Sequence, residues 1–79
     1  MEAAIAFGKV LRKLRLEVGL TQEQLGLEAD LRRTYISILE LGRQQPSLTT
    51  IIKLAHALNC PAQEILARVE AELRSEIKT

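Results

Sequence analysis

The side chains that do covalent chemistry are scarce in this chain and do not fall together. It holds one histidine, His56, and one cysteine, Cys60. Its carboxylates are scattered, so no nucleophile, base and orienting group assemble into a catalytic set. A glycine-rich phosphate loop and a metal-ligand spacing are both missing. Enzyme activity, a cofactor, a metal and a small-molecule ligand are therefore not expected. His56, between Ala55 and Ala57, has no second ligand near it and reads as a surface or part-buried histidine. Cys60 reads as a weak helix cap or small apolar filler, and a lone cysteine excludes an internal disulfide. What the chain does gather is hydrogen-bonding and cationic side chains. Arg32, Arg33, Thr34, Tyr35 and Ser37 lie together, with Gln22 before them and Arg43 after.

Such residues need elements to hold them, and the pattern is helical throughout. Phe7, Val10, Leu11, Leu14 and Val18 recur at three- and four-residue steps, which predicts an amphipathic helix over 3–18 that Gly19 stops. Thr21-Gln22-Glu23-Gln24 reads as a capping box opening a short helix over about 22–28. Ala29-Asp30-Leu31 is a tight turn. A third helix is expected over about 33–41 and is closed by Gly42. Ser47 caps a fourth, about 48–58, and Asn59 ends it. Pro61 sits at the first position of a fifth, running to about 76. Gly and Pro are read as punctuation between helices, and no stretch alternates with period two. The expectation is one all-α domain over 1–79, its C-terminal helix, 61–79, serving dimerisation.

Composition narrows the partners. At 79 residues one domain fills the chain. No apolar run approaches the roughly 20 residues of a membrane span, and no basic start precedes an apolar stretch. A reducing, cytoplasmic home without membrane contact is expected. Aromatics make up 3% of residues, too few for a platform that stacks single-stranded bases. Net charge is +1, but residues 1–62 carry eight basic against six acidic side chains, so the positive excess lies in the body.

Two short helices joined by a tight turn, the second only half buried, form a helix-turn-helix, whose second helix enters the major groove of DNA. Leu25, Ala29, Leu31, Ile36 and Leu39 supply the apolar crossing. Arg32, Arg33, Thr34 and Ser37 supply the polar outer face. Leu20-Thr21-Gln22-Glu23-Gln24-Leu25, Arg33-Thr34-Tyr35-Ile36-Ser37, Leu39-Glu40-x-Gly42-Arg43, Pro46-Ser47-Leu48-Thr49-Thr50 and Leu54-Ala55-x-Ala57-Leu58 together resemble the Cro/CI-type, lambda-repressor-like helix-turn-helix domain. The resemblance spans residues 7–66. It is nearest to the controller proteins of restriction–modification systems, with small phage repressors and antitoxin-type regulators close behind.

The resemblance implies five helices, sequence-specific binding of double-stranded DNA, and a homodimer on a near-palindromic operator. Arg32, Arg33, Thr34 and Ser37 would face base edges or adjacent phosphates. Gln22 would contact a phosphate and brace the recognition helix, Tyr35 would set its hydroxyl on the DNA backbone, and Arg43 would hold phosphate. Arg15 and Glu40 match an ion pair tying the first helix to the end of the third.

Three positions depart from that pattern. Arg32 stands at an N-cap where the family has Ser, Thr or Asp, placing a cation at the positive end of the helix dipole. Either DNA or Asp30 would supply the missing negative charge. Ile38 and Leu41 are apolar on the outer side of the third helix, where the family is commonly polar. Ile38 is expected to touch a thymine methyl, and Leu41 to be covered by the fifth helix or a second subunit. If both form one exposed patch, the alternative is a protein-interaction module of antitoxin or adaptor type. Finally, Ile65, Val69, Leu73 and Ile77 draw a stripe along the fifth helix; four short helices can bury Ile65 and Leu66 but would not also cover Leu73 and Ile77, so the stripe is read as a self-association face.

Overall fold

The computed structural model describes residues 1–77, with side chains through Ser75. Five helices follow in order: α1 (Ala3–Glu17), α2 (Gln22–Ala29), α3 (Arg33–Glu40), α4 (Leu48–Ala57) and α5 (Ala62–Ile77). No strand occurs among the described residues, so the all-α class is the one observed.

Local chemistry fixes each break. Gly19 takes φ +77° after α1, with the Leu20 N–H bonded back to the Arg15 carbonyl and the Gly19 N–H to that of Leu16. That pair of bonds closes a helix through a left-handed residue. Gly42 closes α3 and Asn59 closes α4 in the same way. Asp30, at φ 57°, turns the chain after α2, and the Leu31 N–H bonds the Gly26 carbonyl at 2.8 Å. Asn and Asp tolerate this conformation because their short polar side chains bond locally. At the helix starts, the Thr21 hydroxyl accepts from the Gln24 N–H while the Gln24 side chain accepts from the Thr21 N–H. The Ser47 hydroxyl accepts from the Thr50 N–H at 3.1 Å. The Pro61 carbonyl accepts from the Ile65 N–H, so Pro61 stands just before α5 rather than at its first position.

Not every glycine is punctuation. Gly8 lies inside α1, where a Cβ would sit 2.5 Å from the Leu39 carbonyl oxygen. Gly26 lies inside α2, where a Cβ would sit 2.6 Å from that of Leu31. Their absent side chains let α1 press on the end of α3, and α2 on the turn before α3.

Helix α1 packs on α3 and α5, α2 on α3 and α4, and α4 on α5. The interior is filled by Leu11, Leu25, Ile36, Leu39, Leu54 and Ile65, all fully buried. This corrects the stripe on α5. Ile65 and Val69 are 1% and 8% exposed and belong to the subunit's own core. Leu73 is half-buried against that core, and the side chain of Ile77 lies outside the described residues. The cover comes from α1, whose 15 residues extend about 22 Å and pack along α5. Leu41 stays 60% exposed, so the cover expected from the fifth helix is not made.

Candidate nucleic-acid interface

The α2–turn–α3 unit carries the polar residues. Leu25, Ala29, Ile36 and Leu39 are buried where the helices cross, leaving the opposite side of α3 to solvent. Arg32, Arg33, Thr34, Ile38 and Leu41 are exposed there and Ser37 is half-buried. Over the α3 turn the order of these residues follows the 100° step of a helix. Arg33 and Ser37 form one row, Thr34 and Ile38 the row beside it.

The start of α3 is bare. Arg32 caps it with no side-chain hydrogen bond, unlike Thr21 and Ser47. The Arg33 and Thr34 N–H groups have no acceptor among the described residues. Asp30 forms no ion pair with Arg32, so the neutralising role open to it in the sequence is not taken. Two exposed arginines and two free N–H groups thus stand at the positive end of a helix dipole, an arrangement suited to an anion. Arg43, in the loop after α3, is exposed and without an ion pair among the described residues. Tyr35 packs half-buried against the core, and its hydroxyl makes no hydrogen bond among the described residues.

Behind this face lies a polar brace. Arg15 Nε donates to Glu40 Oε2 at 2.6 Å, Arg15 Nη2 to Glu40 Oε1 at 3.1 Å, and Arg15 Nη1 to the Leu20 carbonyl at 2.9 Å. The two side chains are 10% and 4% exposed. The hydrogen bond with Glu40 holds the Arg15 guanidinium above its already high pKa, against the opposing effect of burial. Gln22 Nε2 also donates to Glu40 Oε1, at 3.1 Å. The Glu40 carboxylate therefore ties α1 and α2 to the last turn of α3, while Arg15 also holds the α1–α2 connection. The share taken by the Leu20 carbonyl has no signal in the residue types, because a backbone acceptor can be any residue.

The other chemistry-bearing residues stand apart. His56 is exposed at the end of α4. The Cys60 Sγ–H donates to Glu64 Oε2 at 3.5 Å, and burial, then that bond, push its thiol pKa up. No group of three metal-ligating side chains occurs among the described residues, and no helix among them is long and apolar enough to cross a membrane. Sequence reasoning missed that Leu48 and Ile52 of α4 and Leu66 of α5 stay exposed. Leu66 lines a cleft together with Ala3, Phe7, Pro46, Ile51 and Val69. The i, i+4 spacing of Leu48 and Ile52 was the available signal, masked because α4 is apolar on most sides.

Two short helices crossing through small and apolar residues, with a polar second helix turned outward, define a helix-turn-helix protein. The family model described as helix-turn-helix matches residues 11–65, and the chain belongs to this Cro/CI-type family of DNA-binding transcription regulators. The control protein C.BamHI of Bacillus amyloliquefaciens is 40% identical over 63 residues, covering 78% of this chain and 78% of its own. The control protein C.MunI of Mycoplasma sp is 38% identical over 69 residues, covering 86% and 93%. Among solved structures, the restriction-modification controller protein C.AhdI from Aeromonas hydrophila superposes with a TM-score of 0.77 at 40% identity, covering 78% of this chain and 94% of that one. These relatives are regulators, not enzymes.

Proposed function

We propose that the chain is a sequence-specific regulator of transcription that binds double-stranded DNA as a homodimer, with α3 in the major groove of each half of a near-palindromic operator. The observation that carries this is the outer face of α3: cationic and uncapped at its start, with Thr34 and Ser37 following, and without side-chain hydrogen bonds or ion pairs among the described residues. Arg32, Arg33, Thr34 and Ser37 face base edges or adjacent phosphates. Gln22 has a second amide N–H left after its bond to Glu40, so it contacts a phosphate while bracing α3. Tyr35 and Arg43 hold backbone on either side. The likeness to C.BamHI, C.MunI and C.AhdI supports a controller role in a restriction–modification system. Neighbouring reading frames for a methyltransferase and an endonuclease would establish that role.

Steep salt dependence tests the DNA reading, because phosphate contacts release counterions. Arg43→Ala is expected to weaken all sequences alike and to flatten the slope of log affinity against log salt by about one unit. Affinity for duplex DNA that ignores salt would favour the protein-interaction alternative.

We infer that the dimer face lies on α4 and α5, which the exposure of Leu48, Ile52 and Leu66 supports. Isologous pairing covers these exposed side chains and the cleft beside them. Ile52→Glu is expected to give a folded monomer, since Ile52 lies outside the core and an unpaired carboxylate is costly in an apolar interface. Leu73→Glu is expected to destabilise the subunit itself, because Leu73 packs on its own core. Sedimentation velocity at micromolar concentration checks both; an Ile52→Glu protein that remains dimeric moves the interface elsewhere.

A further inference from the structure

The row beside Arg33 and Ser37 is aliphatic. Ile38 stands one helical turn after Thr34, 36% exposed, and outside the buried core cluster. Both residues are β-branched, so in a helix their χ1 freedom is small and their methyl groups hold fixed directions. Helical side chains also lean toward the N-terminus of the helix, which carries Ile38 back toward Thr34. The result is a stiff apolar edge running alongside a hydrogen-bonding one. Ile38 lies outside the buried core cluster, and an aliphatic side chain makes no phosphate contact. In the major groove the apolar group that base pairs present is the C5-methyl of thymine.

We propose that Ile38, continued by the methyl group of Thr34, determines specificity by packing on the C5-methyl of a thymine in each operator half-site. The proposal rests on the DNA-binding reading above and adds to it the chemical group that α3 selects. Arg33 and Ser37 read hydrogen-bonding base edges, whereas Ile38 reads shape and apolarity. Ile38 lies five residues beyond Arg33 along the helix, about 7.5 Å. At 3.4 Å per base step, the thymine falls within about two base pairs of the base that Arg33 contacts.

The test begins with the operator obtained by binding-site selection with the wild-type protein. Each thymine is then replaced by deoxyuridine, which pairs identically and lacks only the methyl group. One position in each half-site is expected to lose about fourfold in affinity, the worth of one buried methyl. Ile38→Ala is expected to keep its fold by circular dichroism, to bind the unmodified operator more weakly, and to show no further loss at that position. It should keep the base preference that depends on Arg33. The proposal is overturned if wild-type protein binds its operator and no deoxyuridine lowers the affinity. It is equally overturned if Ile38→Ala remains as sensitive to the substitution as wild type. Failure of the wild-type protein to bind duplex DNA at all sinks the functional reading itself, and this proposal with it.

Discussion

Arg15→Met is expected to cost about 3–5 kcal/mol of folding stability, the largest single effect foreseen for this chain. The substitution keeps an unbranched side chain of similar length and removes the charge. Glu40, whose side chain is 4% exposed, then keeps only the Gln22 amide, and the Leu20 carbonyl loses its donor. A domain of this size holds about 5–15 kcal/mol in total, and each kcal/mol moves its melting temperature by about 4–8 °C. Thermal unfolding should therefore shift down by tens of degrees. Arg15→Met combined with Glu40→Leu is expected to recover most of the loss, since apolar replacement of a buried pair is often neutral or stabilising. A single variant that melts within a few degrees of wild type would show that water reaches the pair and that the brace does not hold α3.

The second large effect is on recognition and leaves stability alone. Arg33→Ala is expected to lose about 1–3 kcal/mol of base discrimination per half-site, so two half-sites lose about 2–6 kcal/mol, at least tenfold in operator affinity. Arg33 is exposed and makes no bond within the subunit. Its removal takes a cation from the positive end of α3, worth a few tenths of a kcal/mol in favour of the fold. Affinity should fall while the melting temperature holds or rises slightly. Binding-site selection with the variant decides the role: an unchanged consensus refutes base contact.

Much of this was legible in the residues because it depends on neighbours in the chain. Gly19, Asp30, Gly42 and Asn59 end helices through local backbone geometry, and Thr21 and Ser47 start them through local hydrogen bonds, so the helix boundaries agree to within one or two residues. The outer face of α3 was equally legible, since the 100° step separates Arg33, Thr34, Ser37 and Ile38 from Ile36 and Leu39. What escaped depends on distant packing. Whether Ile65 and Val69 face a partner or their own core turns on how far α1 extends along α5, which periodicity in α5 does not encode. Gly8 and Gly26 resemble helix weaknesses until the carbonyls pressed against them are seen. The bracing role of Gln22 came from the family resemblance, but its partner Glu40, eighteen residues away, did not.

The separation of brace from reading face bears on how such a protein diverges. Arg15, Glu40, Gly8 and Gly26 bear on the position of α3, whereas Arg33 and Thr34 are exposed without side-chain bonds among the described residues and Ile38 lies outside the core cluster. Exposed substitutions of that kind change stability by less than about 0.5 kcal/mol. Selection can therefore rewrite the operator preference one residue at a time without a folding penalty. A lineage keeping the four bracing positions fixed and varying the three reading ones would hold the same scaffold while acquiring new targets, and duplicated copies would cease to cross-regulate early in their history.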